Sequence, residues 1–220
     1  MSSSGFIIRE KAILSDEFYK IFQRSKYEEF LCDLMNLSSI VFPHSYQHIP
    51  NQSNGECDFV DLVDHKKYDA KLPFDKKIGE IIGGQRDYFN WYKLFITLEE
   101  EFGEFIEKRG TIQIKDLKIY QIISDRINST KVDENVILFF PLPIILDIQD
   151  SFTSCFAGDM LSSIFCELKK QINVSKEIIT VYPDGFGNIV LRRLNDNQRE
   201  YLKYEGLNKY FKYEKKLKCE

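Results

Sequence analysis

From Val136 to Ile145 the chain is a near-continuous run of apolar side chains. A strand with one wet face alternates apolar and polar residues, whereas a strand apolar throughout is covered on both sides. Such a strand belongs inside a sheet flanked by helices. The surrounding sequence offers both kinds of partner. Cys57–Val63 and Tyr68–Phe74 are rich in β-branched and aromatic residues, and Asp64-His65-Lys66-Lys67 lies between them as a tight turn. Ser15 to Leu37 reads as a helix: Phe18, Ile21, Phe22, Phe30, Leu31 and Leu34 recur at three- and four-residue steps, with Ser15 as N-cap. Gln85 to Lys108 repeats that pattern through Tyr88, Tyr92, Phe95, Leu98, Phe102 and Phe105, and Ser154 to Ile172 reads as a further helix. The expected class is α/β, a central mixed β-sheet flanked by helices.

Three segments complete the outline. Ser39 to Phe42, stopped by Pro43, is a short strand candidate, and 43–55 is loop. Thr111 to Asn135 stays open between strand and helix. Ile178–Tyr182 and Asn188–Leu194 flank Pro183-Asp184-Gly185-Phe186-Gly187, a hairpin signature, and a charged helix is expected from Asn195 onward. A length of 220 residues suits one domain. Its expected core is 15–146, with a C-terminal helix–hairpin–helix extension over 150–220 packed on it.

Charge narrows the function. With 34 acidic against 30 basic residues the net charge is −4, so the protein lacks a wholesale basic footprint for nucleic acid. A local patch remains. Arg192 to Glu220 holds nine basic and five acidic residues, interleaved with Tyr201, Tyr204, Tyr210, Phe211 and Tyr213. That region suits either phosphate contact or an amphipathic helix packed on the sheet. No apolar run reaches the length of a membrane span, and the first residues lack the apolar core of a signal peptide. A cytoplasmic protein without a membrane partner is expected. Five cysteines (32, 57, 155, 166 and 219), none spaced C-x-x-C, are expected as reduced thiols, Cys155 and Cys166 in the core.

The chemistry concentrates between Glu56 and Leu72. Asp58 is followed, after ten residues, by Asp69-Ala70-Lys71. Two carboxylates on neighbouring strands offer the hard oxygen ligands that Mg²⁺ prefers. A lysine beside them can orient an attacking water and offset charge on a pentacovalent phosphate. Six acid-x-Lys triplets occur in the chain, and only this one has a strand-borne acid at suitable spacing. If Val63 pairs with Tyr68, Asp69 faces Leu62 and Lys71 faces Val60; the period of two then puts Asp58, Val60 and Leu62 on the face of Asp69 and Lys71. An exposed cross-strand charge cluster is the competing reading of the same residues. His44, His48 and Cys57 would be a zinc set, although a fourth ligand is not evident.

With these residues, and with the order helix, three strands, helix, strand from Ser15 to Ile145, the chain resembles the restriction-endonuclease-like superfamily of PD-(D/E)xK nucleases. The resemblance covers roughly the first two-thirds of the chain. It implies that Asp58, Asp69 and the main-chain carbonyl of Ala70 hold one or two Mg²⁺ ions (Mn²⁺ as the alternative) and that Lys71 is the catalytic lysine. It implies an acid on the first helix, for which Glu29 is the candidate and Glu28 and Asp33 are rivals. It implies a glutamine on the helix after the lysine strand, where Gln85 sits with Phe89 four residues on. Some viral members use an upstream histidine as a ligand, which His44 or His48 would supply. The sequence departs from the pattern at Cys57, where proline is usual, and at Asp69, where glutamate is commoner. The one literal Pro-Asp pair, Pro183-Asp184, is accounted for by its Gly-rich turn. The implied function is a metal-dependent endonuclease acting on double-stranded DNA in bacterial restriction or anti-phage defence, as a homodimer or with an accessory subunit. The alternative is a non-catalytic nucleic-acid-binding or assembly module on the same fold.

Overall fold

Val136–Phe139, the start of the apolar run, lie in the middle strand of a seven-stranded mixed sheet in a computed structural model that describes residues 27–50, 57–72, 113–116, 118–139, 163–170, 176–183 and 188–203. In chain order the strands are β1 (Tyr46–His48), β2 (Phe59–Asp61), β3 (Lys67–Lys71), β4 (Glu134–Phe139), β5 (Ile178–Pro183), β6 (Asn188–Arg193) and β7 (Arg199–Lys203), and they stand in the sheet in that same order. β1, β2 and β3 are antiparallel, β3, β4 and β5 are parallel, and β5, β6 and β7 are antiparallel again. Three helical segments are described: α1 (Tyr27–Leu37), α2 (Lys118–Asn128) and α3 (residues 163–170).

All six residues of β4 are buried, and alternate side chains enter two different cores. Ile137 and Phe139 join Phe30, Leu31, Leu34 and Met35 of α1. Val136 and Leu138 join Ile123 and Ile127 of α2 and Ile164, Phe165 and Leu168 of α3. The period of two along the strand thus sorts one apolar run into two layers, and each helix offers its apolar stripe at three- and four-residue steps. At the sheet's first edge Asn36 of α1 behaves as a surrogate strand. Its Oδ1 accepts from the Tyr46 amide at 2.9 Å and its Nδ2 donates to the Tyr46 carbonyl at 3.0 Å.

The C-terminal region differs from expectation. The β5–β6 hairpin forms, registered from Pro183↔Ile189 to Ile179↔Arg193, but β5 pairs directly with β4. The region expected as an appended extension therefore supplies three strands of the one sheet. Arg199–Lys203, expected as helix, is the edge strand β7. The cause is the turn before it. Asn197 takes a positive φ of 62°, the Gln198 amide donates to Asp196 Oδ1 at 3.0 Å, and the Arg193 amide donates to the Gln198 carbonyl at 2.9 Å. Asparagine and aspartate stabilise such reversals through their own side chains.

Ser39–Phe42, expected as a strand, instead wraps around the Glu200 carboxylate of β7. The loop expected over 43–55 contains β1. Within 111–135 the ambiguity resolves to a 3₁₀ turn, Ile114–Asp116, and then α2. Cys57 is buried, Cys32 is intermediate, and Cys166, expected in the core, is exposed. No helix among the described residues is long and apolar enough to cross a membrane.

Candidate functional site

The β2–β3 hairpin turns earlier than expected. Phe59 is registered against Tyr68 and Val60 against Lys67, four residues from the anticipated pairing. The Asp61 amide donates to the Lys66 carbonyl at 2.8 Å, closing a loop over residues 62–65. Asp61 builds that loop: its Oδ1 accepts the amides of Val63 at 2.8 Å and Asp64 at 3.1 Å, and His65 takes a left-handed φ of 57°. A shift of four preserves parity, so Val60 still lies on the face of Asp69 and Lys71. Leu62 leaves the strand and is exposed.

Asp58 is re-aimed by a local irregularity. Although Phe59 is the partner of Tyr68, the Asp58 amide donates to the Tyr68 carbonyl at 3.0 Å, so two residues of one strand face one of the next. That is the count of a β-bulge, a device that redirects a side chain and recurs beside active sites. The redirected Asp58 carboxylate accepts the Ala70 amide at 2.5 Å. N–H and C=O of one strand residue point the same way. The Ala70 carbonyl therefore faces the same gap as Asp58. On either side of Ala70, Asp69 and Lys71 share the opposite face from Tyr68 and Ala70, and the Lys71 ammonium meets Asp69 Oδ2 at 2.7 Å. Asp58 is 5% exposed, while the side chains of Asp69 and Lys71 retain 15% and 27%. The two ends of the site thus differ: one carboxylate is sheltered and backbone-bound, and an acid–lysine pair reaches solvent.

This geometry separates two roles of Asp58. An Asp58→Asn variant keeps an oxygen acceptor for the Ala70 amide, so its unfolding free energy stays within about 1 kcal/mol of wild type. Asp58→Ala orphans a buried N–H and costs roughly 1–3 kcal/mol in urea titration. Equal stability of the two variants would remove Asp58 from the hairpin's support.

Around this centre the helix and the neighbouring strand bring more polar groups. Burial, together with the facing carboxylates of Glu28, Asp58 and Asp69, pushes the Tyr27 phenol well above its ordinary range. Glu28 Oε2 lies 3.0 Å from His48 Nε2 on β1. Glu29, the first-choice helix acid, is exposed on α1; among the helix acids, Glu28 is the one joined to the sheet through this pair. Their order follows from α1 turning its buried Phe30, Leu31, Leu34 and Met35 inward. Gln85 and Phe89 lie outside the described residues. Beyond Asp69, burial lowers the pKa of Lys176, whose ammonium donates to the Thr130 carbonyl at 3.0 Å.

The histidines do not combine as a zinc set. His48 engages Glu28, whereas His44 Nδ1 lies 2.8 Å from Asp61 Oδ2 and 3.7 Å from Asp64 Oδ2. His44, Asp61 and Asp64 form a group that could hold a metal ion, their ligand atoms all within 4.8 Å of one another. The two aspartates escaped notice because turn residues already have a reason to be aspartate. Of the basic C-terminal region, Arg192 stacks over Phe165, 5.7 Å from the ring centroid, and donates through Nε to Asn197 at 2.9 Å. Arg193 reaches Gln198 at 2.9 Å and Asp196 at 3.4 Å. These two arginines brace the sheet's turn; residues 204–220 lie outside the described residues.

Comparison of the chain with family models, with curated proteins and with solved structures finds no significant match.

Proposed function

We propose that this protein is a divalent-metal-dependent phosphodiesterase of the PD-(D/E)xK type, an endonuclease acting on DNA, with Asp58, Asp69 and Lys71 at its centre. One observation carries the reading: the bulge at Asp58 delivers its carboxylate to Ala70, between Asp69 and Lys71. The strand order supports it, since helix α1, the antiparallel β1–β3, α2 and the parallel β4 follow the sequence of elements that such nucleases share.

The donors in this reading are the carboxylates of Asp58 and Asp69 and the Ala70 carbonyl, all hard oxygen ligands of the kind Mg²⁺ takes. Mg²⁺ or Mn²⁺ held there would polarise a phosphoryl oxygen and favour hydroxide over water. The protein's own groups do the rest. Lys71 sets the direction of the attacking water and offsets charge accumulating on phosphorus. Asp69 fixes that ammonium through the 2.7 Å pair. Asp58, tied to the backbone, keeps the hairpin in register.

A second reading has its own support. Asp69 with Lys71 and Asp58 with Ala70 satisfy one another without any ion, as a purely structural cluster in a binding or assembly module would. Nicking of supercoiled plasmid in Mg²⁺ or Mn²⁺ separates the two. The nuclease reading expects nicking by wild type that is lost in Asp69→Ala and Lys71→Ala. Absence of nicking by wild type favours the module, and equal nicking by the variants assigns the activity to a contaminant.

A further inference from the structure

We propose that His44, Asp61 and Asp64 form a second metal site, for a divalent transition ion such as Zn²⁺, that staples the β2–β3 loop to the segment before β1. It lies outside the Asp58–Asp69–Lys71 centre and does not depend on the nuclease reading.

Three features support it. First, the ligand spacing is right. An ion with bonds of 2.0–2.2 Å in tetrahedral coordination keeps its ligand atoms about 3.3 Å apart, and the two Nδ1–Oδ2 distances, 2.8 and 3.7 Å, bracket that value. Second, one ligand is fixed in advance. The Asp61 side chain is only 2% exposed, and its Oδ1 is held by the Val63 and Asp64 amides, which leaves Oδ2 turned toward His44. Hydrogen bonds of this kind, behind a ligating carboxylate, orient it for the ion. Third, among the described residues the two carboxylates lack a lysine or arginine counter-charge and converge on one imidazole. Lys66, the nearest lysine in sequence, is committed to Glu177 at 2.8 Å.

The ligand types choose the ion. An imidazole nitrogen favours zinc and its transition-metal neighbours over Mg²⁺ or Ca²⁺, which prefer oxygen alone. His44 and Asp64 are 30% and 45% exposed, so the fourth position opens to water. Such an ion ties the loop over residues 62–65 to His44, beside the existing bond from the Leu62 amide to the Ser45 carbonyl at 2.9 Å.

The test is calorimetric titration of the full chain with Zn²⁺, with visible absorption of Co²⁺ as the coordination probe. Wild type should bind one ion saturably and give a Co²⁺ spectrum of low coordination number. His44→Ala and Asp64→Asn should each weaken binding by at least about 10-fold. Asp64 is exposed, so Asp64→Asn gives a folded variant, verified by circular dichroism. Asp69→Ala should bind Zn²⁺ as wild type does. No saturable binding, unchanged binding in His44→Ala and Asp64→Asn, or loss of binding in Asp69→Ala would each overturn the assignment.

Discussion

Replacing Glu200 with alanine is expected to lower the unfolding free energy by about 3–4 kcal/mol, a large share of what a domain this size possesses. Glu200 is a charged residue on β7 with 8% exposure, and both carboxylate oxygens are fully employed. Oε1 accepts the Ser39 amide at 2.9 Å and the Ser39 hydroxyl at 3.2 Å. Oε2 accepts the Ser38 hydroxyl at 2.5 Å and the amides of Ile40 at 3.0 Å and Val41 at 3.1 Å. Hydrogen bonds to a charged acceptor contribute roughly 1.5–3 kcal/mol each in isolation, and deletion strands several donors at once. They do not add in full, because the 38–41 segment relaxes toward water. Urea denaturation measures the loss directly, and a change under about 1 kcal/mol would show that this segment finds other partners.

The same carboxylate sets a pH dependence. Burial works against its charge, but the Ser38 hydroxyl and the amides of Ser39, Val41 and Ile40 outweigh burial and hold the group below its ordinary 4.5. The unfolded chain therefore binds the proton at higher pH than the folded one. The stabilisation is complete above the unfolded value and is lost as pH falls from about 4.5 through the folded value. Wild type should lose stability over that window more steeply than Glu200→Gln, compared by thermal melts at matched pH.

On the nuclease reading, Lys71→Met should reduce Mg²⁺-dependent nicking by about 10²–10³-fold, the effect of removing one preorganised charge from a phosphate transition state. Stability should barely change. Lys71 is the more exposed half of its pair with Asp69, and partly solvated pairs contribute about 0–1 kcal/mol. The combination is diagnostic: a large kinetic loss without a fold defect marks a group that meets the substrate. A variant that unfolds, or one that nicks as well as wild type, would return Lys71 to the structural cluster.

What the sequence disclosed depended on whether local chemistry alone decided each element. β4 was legible because Val136, Ile137, Leu138 and Phe139 leave no wet face, whatever surrounds them. The β5–β6 hairpin was legible from its Gly-rich turn. β1 was not, since three residues among prolines and histidines carry too little pattern; their pairing is decided by Asn36 and β2. β7 was misread because its inward position is Glu200, a charge where an apolar residue was expected, and the justification sits 160 residues away in sequence. In the candidate site, Asp58, Asp69 and Lys71 were singled out by spacing; Val60 kept its expected parity with Asp69 and Lys71 but not its register, and the bulge took Asp58 out of that pattern. The slip came from Asp61, whose hold on the Val63 and Asp64 amides starts the turn early. Glu28 and Glu29 are neighbours on one helix, and only the rotation imposed by the core distinguishes them.

Asn36 has a further consequence for how copies of this protein meet. A newcomer seeking to lengthen the sheet beyond Tyr46 must first evict an amide already engaged with both of that residue's main-chain groups. The β1 margin is thereby closed to ribbon-like self-association at that point.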